Sequence, residues 1–385
     1  MSKLSLRPAL RARSSVMDAV SRTSFSQTRS FSVSASRQVS SVISFSPTSS
    51  PELDSILSEI RYKILLPTYI RQEQRKKIFR PRYKQELRSS PITMEIDGEI
   101  IKYTGLDPLT DIPNTREILD KAIERMDTKE DFENLPRLLE GLCYNANRKL
   151  KTHDYVKMTT TAGERGCIYT IIDCARQVRK TEFKLDKSEK VQLIMEYLQL
   201  KALNSEWGEN EAKKALAWAE MVVEMADREE HLPKQTTKTS KRFPLSRDPQ
   251  ILSTPLFLAA GIAKHHNGGQ DVDGKVAHYA KLVTTLWPAE KGLLQLHPEE
   301  SYEDHEGMHY LAHKKDKLLE VGAPILYGMQ LASQIVEEPL RSQLQSRADT
   351  LAGEVKDALA QLGPDQTDGL GVAVYKRLYE QDQSA

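Results

Sequence analysis

The chain has 385 residues, of which 39% are hydrophobic and 28% charged, so it exceeds one average domain and carries only a modest core. No apolar run approaches the roughly 18 residues of a membrane span, and no stable membrane insertion is expected. Three cysteines with no CxxC pair argue against a disulfide framework, and the net charge of +1 hides a strong internal partition.

Residues 1–50 hold seventeen serines and seven basic residues against one acid, Asp18. Such a segment forms a positively charged amphipathic helix of the kind found in mitochondrial transit peptides. Arg29-Ser30-Phe31-Ser32 resembles a matrix processing site, which sets a presequence at 1–31, cleavage near Phe31 and a destination in the mitochondrial matrix. The Ser/Pro-rich stretch 32–52 reads as a disordered linker.

Residues 53–90 form a basic N-terminal arm. Arg61 to Arg88 contains ten Lys or Arg against Glu73 and Glu86, with tyrosines and a phenylalanine interleaved. Outside this stretch and residues 1–60, the remainder holds 38 basic and 48 acidic residues, so the body is acidic and the arm is its positive pole. Leu53, Ile56, Leu57, Ile60 and Ile64 recur at helical spacing, whereas Pro67 and Pro81 break the arm into short helical pieces. A charge run is ordinarily a solvated face or an aid to import. Here the interleaved aromatics point to a polyanion, with Arg71, Arg75, Lys76, Lys77, Arg80, Arg82 and Lys84 on phosphates and Tyr69, Phe79 and Tyr83 stacking on unpaired bases. Anionic lipid ranks below RNA, because the two prolines break the continuous surface helix that a membrane would favour.

Ile92 to Tyr103 is a pair of short apolar strands around Asp97-Gly98, a hairpin signal, within a hairpin-and-loop segment 91–113. From Asn114 the pattern is helical almost to the end, in one region over 114–228 and a second over 248–385, joined by a polar linker at 229–247. Helices are expected near 135–150, 153–165, 167–180, 188–204, 210–228, 249–266, 272–286, 307–335 with an interruption at Pro324, 339–361 and 370–381. The fold class is therefore all-α for the most part: helical hairpins in an irregular solenoid or bundle, with a basic N-terminal arm and one small β-hairpin.

Lys151 to Lys184 is a 34-residue helix–break–helix unit whose exit runs into Thr181-Glu182-Phe183-Lys184-Leu185-Asp186. Joined to a Ser/Arg presequence, such degenerate hairpins over 130–290 resemble fungal pentatricopeptide- or tetratricopeptide-like proteins of the mitoribosome and of mitochondrial gene expression. The unit lengths drift and no base-reading pair recurs, so a one-repeat-per-base code is not expected. The resemblance implies a non-enzymatic mitoribosome component or ribosome- and mRNA-associated factor. Its partners would be mitochondrial rRNA or mRNA and mitoribosomal proteins. A respiratory-chain assembly or adaptor factor is the alternative for the same helical body.

Other motifs reduce to structural readings. His305-Glu306-Gly307-Met308-His309 matches the HExxH signature of a zinc metallopeptidase, with His305 and His309 as ligands and Glu306 as base. Two carboxylates crowd its mouth, Gly307 weakens the helix, and His313 stands at the wrong spacing for a third ligand. No metal or other cofactor is therefore assigned. His265-His266 suits a helix C-terminus, Cys167 and Cys174 suit a core face, and Gly369-Leu370-Gly371 suits a turn rather than a phosphate cradle.

Overall fold

The computed structural model describes residues 42–96, 98–232, 244–305, 307–362 and 369–380. The presequence, its cleavage point near Phe31 and the first part of the 32–52 linker lie outside those residues, as does Asp97 of the hairpin turn. Ser50 starts the first helix, its hydroxyl accepting the Glu52 N–H at 3.2 Å while Pro51 occupies the first helical position. That helix, α1 (Pro51–Ile60), runs on through a π turn (Arg61–Leu65) and a 3-10 turn (Leu66–Tyr69). Then come α2 (Gln72–Ile78), a 3-10 turn at Pro81–Tyr83, α3 (Lys84–Ser89), and the antiparallel strands β1 (Ile92–Ile96) and β2 (Glu99–Tyr103). Ile92 pairs with Tyr103 and Ile96 with Glu99, and Gly98 takes the positive φ of 83° that the turn needs.

Residues 42–50, assigned to the linker by composition, run against the body. Ser46 exchanges two hydrogen bonds with the Asn134 side chain, at 2.8 and 3.1 Å. The Asp131 carboxylate accepts from the Ser49 N–H (2.8 Å) and hydroxyl (2.7 Å) and from the N–H groups of Asp127 (3.2 Å) and Thr128 (3.0 Å). Asp131 belongs to the short α5 (Lys129–Phe132), which follows α4 (Thr115–Glu124) and precedes α6 (Leu135–Glu140).

Two antiparallel pairs come next. They are α7 (Thr152–Glu164) with α8 (Ile168–Arg176), then α10 (Ser188–Asn204) with α11 (Glu209–Ala226), separated by the single turn α9 (Val178–Thr181). Gly163 lets α7 approach α10, since a Cβ there would sit 2.3 Å from the Tyr197 ring. Beyond the 229–247 stretch, of which 233–243 lie outside the described residues, α12 (Pro249–His266) and α13 (Lys275–Leu286) form the next hairpin.

The remaining helices are α14 (Glu299–Glu303), α15 (His309–Ala312), α16 (Lys315–Ile335), α17 (Leu340–Gln361) and α18 (Leu370–Tyr379). The helix expected over 307–335 thus breaks at His313-Lys314 and passes unbroken through Pro324. A mid-helix proline loses one hydrogen bond and costs about 3 kcal/mol. Burial of Leu318, Leu319, Val321, Ile325, Leu326, Met329 and Leu331 offsets that cost.

In the second half, α12, α17 and α18 pack around α16, the geometry of a bundle rather than a solenoid. At the crossing with α12, a Cβ on Gly328 would lie 2.9 Å from the Phe257 backbone. Gly371 plays the same part for α18, where the Asp316 carbonyl oxygen occupies the space of a side chain. The two helical regions share one apolar core that runs from Ile43 to Leu378. Polar bonds stitch the seam: Gln199 to Thr254 at 2.9 Å, Gln250 to Gln192 at 2.9 Å, and Gln250 and Ser188 to the Tyr310 hydroxyl, each at 3.0 Å. Lys317 reaches Glu196 at 2.5 Å and Glu320 at 3.1 Å in the same buried seam.

Two outcomes test this packing. Gly328→Val is expected to destabilise the chain by about 1–3 kcal/mol, the usual cost of overfilling a core, seen as a lower midpoint in thermal unfolding. Asp131 is fully buried, and burial alone would raise its pKa. The Ser49, Thr128 and Asp127 donors outweigh that effect and hold the pKa at about 2, below the usual 3.8. Because the folded value is depressed, the group's contribution of about 2 kcal/mol is present above roughly pH 4 and is lost as pH falls through about 2. Asp131→Asn should remove that acid-sensitive component, so the stability difference between parent and variant shrinks as pH drops from 4 to 2.

Candidate nucleic-acid interface

The two prolines that divide the basic arm in sequence fold it back on itself. Pro67 and Pro81 each lie in a 3-10 turn, and the chain between them carries Ile70 and Ile78 inward. These two residues, with Leu66, meet Ile96, Ile101 and Tyr103 of the hairpin in a small second core. Tyr62 stacks on Tyr103, with ring centroids 5.0 Å apart and planes 13° from parallel. The Tyr103 hydroxyl donates to the Tyr62 carbonyl at 3.0 Å, and the Tyr62 hydroxyl donates to the Lys102 carbonyl at 3.1 Å. The Leu106 N–H donates to the Ile78 carbonyl at 2.8 Å and fastens the end of α2 over the chain beyond β2. The basic stretch is therefore a folded platform, where the sequence suggested an extended arm.

This fold distributes the candidate residues unequally. Arg71, Lys76, Arg80, Arg82 and Lys84 are exposed, and Arg75 and Lys77 are half-buried beside the buried Ile78. Among the described residues, Arg71, Arg75, Lys76, Arg80, Lys84 and the nearby Arg88 form no ion pair with a carboxylate. Lys77 pairs with Glu86 at 2.9 Å, a bond between two well-solvated groups that is worth little. Most of these cations thus stand at solvent-exposed positions without an ion-pair partner among the described residues, and Lys84 additionally acts on Asp111.

The aromatic candidates are engaged by other groups of the protein, Tyr69 and Phe79 in the cores and Tyr83 by neighbouring cations. The Tyr69 hydroxyl accepts from the Ile43 N–H at 3.2 Å and from the Asn145 amide at 2.6 Å, and its ring packs against both cores. Phe79 packs against the small core. The Tyr83 ring lies under the Arg82 guanidinium at 4.7 Å and the Lys77 ammonium at 5.4 Å. The cations lie on one folded segment, in which Tyr69 and Phe79 serve as scaffolding while half-buried Tyr83 lies under two of the cations. Asn145 and Gly141 complete the attachment, since a Cβ on Gly141 would overlap the Leu65 side chain at 2.7 Å. Sequence reading misses both residues, because their partners lie 76 positions away in either case and neither carries a local signal.

The HExxH string takes another form. His305 stands in a turn after α14 and His309 opens α15, so the two are not on one helical face; Glu306 lies outside the described residues. The rings of His305, His309 and His313 stack in a column, with centroids 4.0 and 3.7 Å apart. Desolvation, and then the neighbouring His305 and His313, hold the His309 pKa below its usual value. Among the described residues, no group of three His, Cys, Asp or Glu is placed to hold a metal ion. Cys143 and Cys174 are buried in the core, and no described helix is long and apolar enough to cross a membrane.

Comparison with known proteins places these features in context. The family model for mitochondrial ribosomal protein mS27 (Mrp13) matches residues 29–377. The small ribosomal subunit protein mS27 of Neurospora crassa is 34% identical over 355 residues, covering 87% of this chain and 89% of that protein.

Tyr103 belongs to the small core alone, so its loss is expected to loosen the platform more than the main bundle. Tyr103→Ala is expected to cost about 3–5 kcal/mol, as loss of a buried aromatic does. Amide hydrogen exchange should rise across 62–106 while α16 and α17 keep their protection.

Proposed function

We propose, for a chain that belongs to the mitochondrial ribosomal protein mS27 family and is a non-enzymatic component of the small mitoribosomal subunit, that the cationic platform is its rRNA-binding surface. The observation that carries this reading is the set of exposed cations that form no ion pair among the described residues, Arg71, Lys76 and Arg80, with half-buried Arg75 in the same helix as Lys76 and Lys84, whose charge is felt by Asp111, further along the chain. Each phosphate contact releases condensed counterions, so affinity from such a surface is strong and salt-sensitive without any base being read. A rigid platform also loses less conformational entropy on binding than a free arm would. The acidic helical body turns its surfaces to protein neighbours, because its own charge repels the same RNA.

Import to the matrix belongs to this reading. It is supported by the Ser/Arg composition of residues 1–31 and by the family match beginning at residue 29, which leaves most of that segment outside the shared sequence. N-terminal sequencing of the mature protein should find a start near Phe31, and an intact Met1 start in purified mitoribosomes would count against it.

Substitution tests the surface better than deletion, because removing 61–88 also removes Ile64, Leu65, Leu66 and Ile70 from the two cores. The combined change Arg75→Glu, Lys76→Glu and Arg80→Glu should leave thermal unfolding nearly unchanged. It should weaken association with rRNA and lower the slope of log K against log salt by about 2–3, close to one per lost phosphate contact. An unchanged slope would refute the assignment.

A further inference from the structure

The loop between α6 and α7 rests directly on the platform. Its first residues form a π turn, Gly141–Asn145, whose buried side packs against Leu65 and whose Asn145 amide holds the Tyr69 hydroxyl at 2.6 Å. Two backbone bonds close it: the Ala146 N–H donates to the Gly141 carbonyl at 2.9 Å, and the Arg148 N–H donates to the Leu142 carbonyl at 2.8 Å. Asn147, with φ of 50°, turns the chain through the left-handed region. Gly141, Leu142 and Cys143 are buried, while Tyr144, Asn147 and Arg148 are exposed.

Tyr144 is 62% exposed, in a turn fixed at both ends. A single exposed aromatic is ordinary on a protein surface. Its setting makes this one different. The other rings of the platform, at Tyr62, Tyr69, Phe79 and Tyr83, are stacked, hydrogen-bonded or packed. Arg148, four residues on in the same loop, makes no ion pair among the described residues, whereas the next residue, Lys149, is tied to Glu182 at 2.7 Å. A solvent-facing ring and a guanidinium without an ion pair thus sit on the loop that packs against Leu65 and Tyr69 of the cationic segment.

We infer that Tyr144 and Arg148 form a stacking site for an unpaired RNA base at the edge of the platform, Tyr144 taking the base and Arg148 a neighbouring phosphate. The ligand is a single-stranded or bulged RNA segment, because a base inside a duplex has no free face to offer the ring. This inference rests on the reading of the platform as an RNA surface and assigns to Tyr144 the stacking role that the sequence gives to Tyr69, Phe79 and Tyr83. A fixed loop suits the task, since the ring is already ordered before the base arrives.

Binding of the full-length chain to an oligouridylate of about 15 nucleotides, and to the duplex of that strand with oligoadenylate, tests it. Tyr144→Ala should weaken single-strand binding roughly 5- to 100-fold and leave duplex binding unchanged, with Tyr144→Phe close to the parent. Arg148→Gln should lower the single-strand salt slope by about 0.7. Thermal unfolding of each variant verifies that the exposed positions leave the fold intact. Unchanged single-strand affinity in Tyr144→Ala, or an equal loss on the duplex, would overturn the inference. So would a variant that binds RNA normally yet dissociates from the small subunit, which would make Tyr144 a protein contact. The triple charge reversal in the platform separates the two levels. If it abolishes oligouridylate binding while Tyr144→Ala does nothing, the stacking site fails and the platform stands; if it too does nothing, the platform reading fails.

Discussion

Asp131 gathers four donors onto one buried carboxylate, two of them from Ser49, which lies 82 residues away in the chain. Such a charge is tolerated in the interior only when its lone pairs are filled, and filling them here draws residues 42–50 across α5 and α6. That strand of chain brings Ile43 to the Tyr69 hydroxyl and to the Arg61 guanidinium, which donates to the Ile43 carbonyl at 3.1 Å. Leu65 seated on Gly141 fixes the other side. The position of the cationic surface relative to the helical body follows from these few contacts.

A stretch with eight Lys or Arg between residues 71 and 88, and only Glu73 and Glu86 within it, repels itself, even with Asp111 near Lys84. Salt screens such repulsion over a Debye length of about 8 Å, so charges closer than that still feel one another. The second core, with its stacked Tyr62 and Tyr103, supplies the apolar burial that holds such a surface together without a partner. A polyanion would relieve the repulsion and stabilise the folded platform by linkage. The strong charge and the aromatic scaffolding are thus two parts of one requirement, and the acidic body carries the opposite preference for neighbours.

Much of the architecture was legible because it is written in local periodicity and punctuation. The helix over 188–204, the helix over 249–266 and the hairpin around Asp97-Gly98 all follow from spacing and turn chemistry. The 307–335 segment failed locally because proline is punctuation only where the neighbouring turns are solvated, and α16 is enclosed on most sides. The stacking role of Tyr69, Phe79 and Tyr83 was read from alternation with charge, which does not reveal that Tyr69 and Phe79 also pack against a second core. Nothing in Asn145, Gly141 or Asp131 announces a partner tens of residues away. Family membership decides between the mitoribosome and the rival readings of a respiratory-chain adaptor or a zinc peptidase, a choice that periodicity and charge left open.

The central claim is that one face of this protein, built from Arg71 to Arg88 and held by the second core, meets rRNA. A cryo-EM map of the small mitoribosomal subunit containing this chain, at side-chain resolution, tests it most directly. The account predicts rRNA phosphates within about 4 Å of several of Arg71, Arg75, Lys76, Arg80 and Lys84, and protein neighbours on the helical body. A platform facing protein or open solvent, with RNA lying against the acidic helices instead, would contradict it.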